Sequence, residues 1–248
     1  MSFARDGPRM ASQLSEGARM PPERFRVEIA PSEYITALDY PAASRTPAAV
    51  TLILAHGAGA DQTSPFIVTF ARALADRGIE TVTFNFAYSE RRRRVPDPNA
   101  RLERCWRAVI ESVKARVVGR EAKLAIGGKS MGGRIASQVA AAGIEDLAAL
   151  VFLGYPLHPP GRPERLRAAH LRNVGAPMLF VQGSRDPFGS PQELHPIIEQ
   201  LKPRAELFVV ESGDHSFKVL KSAGVRQADV DRGIQKRAAA WLLGTAAR

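Results

Sequence analysis

The stretch Ile126-Gly127-Gly128-Lys129-Ser130-Met131-Gly132-Gly133-Arg134 decides the fold. Before it, Lys123-Leu124-Ala125-Ile126 reads as a short apolar strand; after it, Arg134 to Ala140 reads as a helix. Within it, Gly128-Lys129-Ser130-Met131-Gly132 fits G-x-S-x-G. That pattern lifts a serine out of a sharp strand-to-helix turn. Gly128 and Gly132 stand where the chain packs too closely for a Cβ, which leaves Ser130 Oγ projecting above the sheet. Gly128-Lys129-Ser130 is also the tail of a phosphate-binding loop, but that motif needs a glycine five residues before its second one. Lys123 occupies that position, inside the strand, so the phosphate reading fails.

Outward from this turn, apolar segments alternate with helical ones. Arg24–Ile29 and Tyr34–Tyr40 read as edge strands, with an antiparallel pairing expected. Pro41 to Pro47 reads as a loop. Val50–Ala55 is a continuous apolar run, the mark of a strand buried on both faces. A helix is expected from Pro65 to Arg77, with Ser64 at its cap and Gly78 after its end. Ile79–Phe86 is a strand, Ala87–Ala100 a polar loop, Leu102–Val117 a helix. Beyond the serine turn, strands are expected at 147–153, 177–181 and 206–210. Helices are expected at 131–142, 164–171, 191–201 and 229–243, the last with Ile234, Ala238, Trp241 and Leu242 on one face. The alternation implies an α/β fold: a mostly parallel twisted sheet, helices on both faces, and a site beyond the carboxyl ends of the strands.

The chain has 248 residues and 45% apolar composition, ordinary for one such domain. Residues 24–248 are expected to form that domain and 1–23 a loose polar tail, with Met10 and Met20 as later candidate starts. No apolar run approaches membrane-spanning length, and no secretory leader is evident. Cys105 is the one cysteine, which excludes a disulfide framework or a cysteine metal cluster. It fits a small buried side chain on a helix, in a reducing, cytoplasmic setting. No metal or cofactor is called for. The net charge is +10, carried by 28 Arg and 7 Lys spread along the chain. No basic stretch is interleaved with stacking aromatics, so a solvated Arg-rich surface explains the charge better than nucleic-acid binding.

Three residues occupy three strand-end loops. Ser130 is in the turn, Asp186 follows the strand ending at Val181, and His215 follows the strand ending at Val210. A serine hydroxyl needs a base within hydrogen-bond reach, and His215 can serve. Asp186 can hold the imidazole tautomer; Asp214, adjacent to His215, points away from it. His56, His158, His170 and His195 compete with His215 for the base. An oxyanion would be met by the amide of Met131 and by a second amide from His56-Gly57-Ala58-Gly59, with Ala58 first and Gly59 second. The His56 side chain reads as a brace for that loop.

At these residues the chain resembles the α/β-hydrolases over about residues 24 to 243. The segments His56-Gly57-Ala58-Gly59, Ser64-Pro65-Phe66, Gly154-Tyr155-Pro156-Leu157-His158-Pro159-Pro160, Gly183-Ser184-Arg185-Asp186 and Gly213-Asp214-His215-Ser216-Phe217 narrow it further. They are similar to a dienelactone-hydrolase-like branch that includes the testis-expressed and chromatin-complex hydrolase-like proteins. The resemblance implies an α/β-hydrolase fold and a Ser130–Asp186–His215 triad acting on a carboxylic ester or thioester through an acyl-enzyme. It implies no particular substrate, and some members of the branch act as scaffolds. Dienelactone hydrolase itself uses a cysteine where this chain has Ser130, which argues against dienelactone.

About twenty residues separate Leu153 from Pro177, where hydrolases often insert a lid, so a minimal lid is expected. That insert carries Arg162, Arg165, Arg167, His170 and Arg172, and Arg91–Arg94 follows another strand. A basic rim including Arg162, His170 and Arg92 would favour an anionic small-molecule ester by steering, the alternative being a solvated face. Two functions are carried forward: a serine hydrolase, or a catalytically silent scaffold of the same fold that binds a protein partner.

Overall fold

The computed structural model describes residues 21–43 and 49–247. The tail expected at 1–23 lies almost wholly outside these residues, as does most of the Pro41–Pro47 loop. Eight strands form one sheet: β1 Glu23–Ala30, β2 Glu33–Tyr40, β3 Val50–Ala55, β4 Glu80–Phe84, β5 Lys123–Lys129, β6 Leu147–Leu153, β7 Met178–Gly183 and β8 Ala205–Val210. Their order across the sheet is β1-β2-β4-β3-β5-β6-β7-β8. β1 and β2 form an antiparallel hairpin at the edge, β2 lies antiparallel to β4, and every other pairing is parallel. This is the α/β-hydrolase fold expected above. Every residue of β3, β4 and β7 is buried; β3 and β7 are accordingly almost wholly apolar, while β4 buries Glu80, Thr81 and Thr83.

Six α-helices are described: α1 Pro65–Ala75, α2 Ala87–Glu90, α3 Asn99–Arg116, α4 Met131–Ala141, α5 Pro191–Leu201 and α6 Gln227–Ala246. α3, α4 and α5 cover one face of the sheet around Trp106, Ile135, Phe152 and Leu194. α1 and α6 cover the other around Phe70, Leu74, Ile234, Ala238, Trp241 and Leu242. Cys105 is buried on α3, and burial pushes its thiol up to about 11, so it behaves as an apolar side chain. Among the described residues, no helix is long and apolar enough to cross a membrane.

Two local expectations are corrected. Residues 87–90 are the helix α2 rather than loop. Glu90 there accepts from Thr36 N–H at 3.2 Å, Thr36 Oγ1 at 2.6 Å and Asn85 Nδ2 at 3.0 Å, so partners distant in sequence fix the turn. The helix expected at 164–171 is absent; a 3-10 turn at Ala169–Asn173 replaces it. Leu166 is exposed there, leaving no apolar face to bury. Arg167 instead gives its N–H to Leu157 O at 2.8 Å and its carbonyl to the Tyr155 hydroxyl at 2.8 Å. With no helix between Leu153 and Met178 beyond that turn, little covers the site.

Candidate active site

The turn between β5 and α4 is built by four close approaches. A Cβ on Gly127 would stand 2.2 Å from Val151 O; on Gly128, 2.7 Å from Ala55 O; on Gly132, 2.5 Å from His56 O; on Gly133, 2.7 Å from Gly128 O. The sequence reading foresaw the need at Gly128 and Gly132 and missed it at Gly127 and Gly133. β3, β5, β6 and α4 therefore meet backbone to backbone, which forces Ser130 to φ 50° and ψ −118°. A side-chain-bearing residue held there stores roughly 1–3 kcal/mol of strain. Ser130 N–H donates to Leu153 O at 3.1 Å, and Arg134 N–H to Ser130 O at 3.1 Å. The hydroxyl is thus presented from two rigid elements.

The three candidate residues come together. Ser130 Oγ lies 2.8 Å from His215 Nε2, and His215 Nδ1 lies 2.7 Å from Asp186 Oδ2. The carboxylate can only accept, so Nδ1 carries the proton and Nε2 faces the hydroxyl with its lone pair. Asp186 is 3% exposed. It also accepts from Gln182 Nε2 at 2.8 Å and Phe188 N–H at 2.8 Å. Gln182 is fully buried and further tied to the Tyr155 N–H, the Tyr155 carbonyl and the Gly189 carbonyl. The sequence reading overlooked Gln182, which directly follows the apolar run Met178–Val181 and belongs to the buried strand β7.

The competing groups are engaged elsewhere. His56 is buried; Phe86 N–H donates to its Nε2 at 3.3 Å, so Nδ1–H donates to Gly57 O at 2.8 Å. Burial lowers its pKa to about 4, so it is a neutral brace for the Gly57–Gly59 loop, as expected. His158 meets Pro159 O and Glu193, His170 Nε2 meets Ser137 Oγ at 2.8 Å, and His195 faces Glu199. Asp214 accepts from Ser216 N–H at 2.7 Å and Lys218 N–H at 2.9 Å, shaping the loop that carries His215.

Lys129 contributes in a way the sequence did not show. Its Nζ donates to His215 O at 2.6 Å and stands 5.3 Å from the Phe217 ring centre. A Cβ on Gly154, whose φ is 70°, would meet that Nζ at 2.9 Å. Burial lowers the lysine from 10.5 to about 8, while Asp186 and Asp214 pull the other way. The ammonium thus ties the residue before Ser130 to the loop of His215.

Ser130 and His215 open onto a cavity of about 640 Å³ between α1 and α6. Ala58 is on its wall, at the loop expected to supply an amide. Gly59 is not; it has φ 72° and faces Arg94 O. Met131 begins α4, where a first-turn N–H has no partner within the helix. Arg162, His170 and Arg92 are not brought to the cavity. Arg162 and Arg92 sit in exposed turns, and His170 packs on α4 through Ser137. Nearby arginines are paired: Arg91 with Glu33 at 2.6 Å, Arg93 with Asp97 at 2.7 Å, and Arg101 with Glu33.

Comparison with known proteins agrees with this architecture. A family model described as "Alpha/beta hydrolase domain" matches residues 48–242. Among solved structures, an alpha-beta serine hydrolase homologue from Coxiella burnetii is 22% identical with a TM-score of 0.69, covering 88% of this chain and 98% of that one. A serine hydrolase without a lid from Xanthomonas campestris is 23% identical with a TM-score of 0.67, covering 88% and 93%. A dienelactone hydrolase from Anabaena variabilis is 20% identical with a TM-score of 0.69, covering 91% and 99%. The match over most of the chain, on the sheet order and serine turn described above, means that the protein belongs to the alpha/beta hydrolase domain family.

Proposed function

We propose that this chain is a serine hydrolase cleaving a carboxylic ester or thioester through an acyl-enzyme. The observation that carries the reading is the hydrogen-bonded series Ser130–His215–Asp186, with contacts of 2.8 and 2.7 Å, opening onto a cavity. His215 Nε2 takes the hydroxyl proton as Ser130 Oγ bonds to the carbonyl carbon. The carbonyl oxygen gains the electron pair and meets the amides of Met131 and Ala58, each worth about 3 kcal/mol in such sites. The C–O or C–S bond then breaks, and His215 returns its proton to the departing alcohol or thiol. Water repeats the sequence on the acyl-enzyme, releasing the acid and restoring Ser130. Asp186 holds the imidazole tautomer and offsets its transient charge.

We further place the chain in the dienelactone-hydrolase-like branch that holds the testis-expressed and chromatin-complex hydrolase-like proteins. The resemblance of the segment Gly154-Tyr155-Pro156-Leu157-His158-Pro159-Pro160 to that branch is what supports this.

A fluorophosphonate probe tests the enzyme reading. The wild type should label and Ser130→Ala should not. A wild type that neither labels nor hydrolyses p-nitrophenyl acetate would overturn the reading and leave the scaffold function.

A further inference from the structure

The cavity beside Ser130 has two unlike sides. Near α1 its wall is Pro65, Phe66, Ile67 and Phe70, joined by Phe188 from the loop after β7 and Ile234 from α6. Phe66 and Phe188 are only half-buried, because one face of each ring borders the open volume. The rest of the α6 side is polar: Gln227, Asp231 and Gln235 recur four residues apart and so share one helix face. Gln227 is fully occupied. It accepts from Val219 N–H and donates to Phe217 O and to Asp231 Oδ1. Gln235 differs. It is 8% exposed, and its carboxamide makes no hydrogen bond to the described residues; it is not among the polar atoms sealed from solvent, so it is open to the cavity it lines.

An amide on a cavity wall with no intramolecular partner keeps its hydrogen-bonding capacity for whatever enters. Here the neighbouring group on the same wall is a carboxylate. The pair can serve a hydroxyl well: its O–H donates to Asp231 while its oxygen accepts from Gln235 N–H. A carboxylate in that place would meet Asp231 and be repelled. The arginines expected to draw an anion lie off this wall, and Lys218, the one other cation there besides Lys129, is exposed. The volume of about 640 Å³ is in the range of sites for medium-sized ligands.

We propose that this cavity binds the acyl part of the substrate, an apolar chain or ring carrying an uncharged hydroxyl recognised by Asp231 and Gln235. The orientation rests on the hydrolase reading, which puts the scissile bond at Ser130. It replaces the anionic ester that a basic rim would favour with a neutral one.

The test compares p-nitrophenyl esters of acetic, octanoic and 8-hydroxyoctanoic acids and the half ester of suberic acid. Each methylene seated against the α1 wall is worth about fourfold, so kcat/KM for octanoate should exceed that for acetate at least tenfold. The hydroxyl should add about tenfold again, and the suberate half ester should fall below octanoate. Gln235→Leu should bring the hydroxy and plain chains to the same value. The same four esters are titrated calorimetrically into Ser130→Ala, which reads the cavity without turnover. Acetate equal to octanoate, the half ester ranking first, or a hydroxyl advantage that survives Gln235→Leu would each overturn the proposal. The expected binding order in Ser130→Ala, with no turnover by the wild type, would sustain the cavity assignment and sink the hydrolase reading alone. Turnover with the reverse order would do the opposite.

Discussion

Lys129→Met separates the fold from the chemistry. The substitution keeps an unbranched side chain, one atom shorter, and removes its charge. Two terms then compete in stability. A lysine lowered from 10.5 to about 8 is one whose ammonium is held at a cost of about 3 kcal/mol relative to water. Against that stands the charge-assisted bond to His215 O at 2.6 Å, worth about 1.5–3 kcal/mol. The terms nearly cancel, so Tm at pH 7 should move by no more than a few degrees. Activity has no such compensation. Without the tie, His215 itself keeps its bond to Asp186, and its loop keeps those made by Asp214 and Gln227 on either side. A displacement of the base by about 1 Å costs up to 100-fold in such sites.

The expected result is a 10- to 100-fold fall in kcat for p-nitrophenyl acetate with KM little changed. pH gives a second handle, and the sign follows from which state binds the proton. Between about pH 8 and 10.5 the unfolded chain keeps its Lys129 proton while the folded chain has released it. The wild type therefore gains stability from this residue as pH rises through that window. The Met variant gains nothing there, so any excess stability it has at pH 7 should vanish by pH 10. A variant within twofold of wild-type kcat would refute the positioning argument. A fall in Tm beyond ten degrees, with activity lost in proportion, would make Lys129 a structural residue only.

Two further outcomes follow from buried groups elsewhere. Asp39 is 9% exposed, its Oδ1 has no partner, and burial with Glu80 nearby raises it from 3.8 to about 6. Its folded form holds a proton that the unfolded chain has lost, so it costs stability above pH 6, by up to about 3 kcal/mol. Asp39→Asn should raise Tm by several degrees at pH 7.5 and leave it unchanged at pH 4; equal shifts at both would refute this. Gly127→Ala puts a Cβ 2.2 Å from Val151 O in the middle of the sheet. A loss above about 3 kcal/mol is expected, seen as a Tm fall of more than 8 °C in a circular-dichroism melt; a fall under 2 °C would mean β5 and β6 separate freely.

Features set by neighbours in sequence were legible; those set by distant partners were not. β3, β5, β6 and β7 announced themselves because strands buried on both faces must be apolar throughout. The serine, aspartate and histidine were readable because each follows a parallel strand, and the ends of parallel strands share one edge of the sheet. α2 was not readable, since its stability runs through Glu90 to Thr36, 54 residues away. Nor was the ammonium of Lys129, because nothing beside it in sequence says that His215 O is its acceptor. The arginine rim failed for a related reason. Position after a strand gives the edge of the sheet but not the direction of a long side chain, and Glu33 and Asp97 claim Arg91, Arg93 and Arg101.

The same contrast bears on how specificity arises with so little covering the site. The reacting groups are locked by backbone packing at Gly127, Gly128, Gly132 and Gly133, where no side chain can adapt. That rigidity favours preorganised chemistry and leaves nothing to discriminate between esters. Between β6 and β7 the described residues hold only a 3-10 turn. On the proposed hydrolase reading, discrimination falls to the cavity walls already in place, chiefly α1 and α6. Changes on the cavity side of these two helices should therefore alter which ester is chosen, while changes at the serine turn should alter how fast any ester reacts. Opposite behaviour, with Phe66→Ala or Ile234→Ala slowing acetate and octanoate alike, would place selection somewhere other than this cavity.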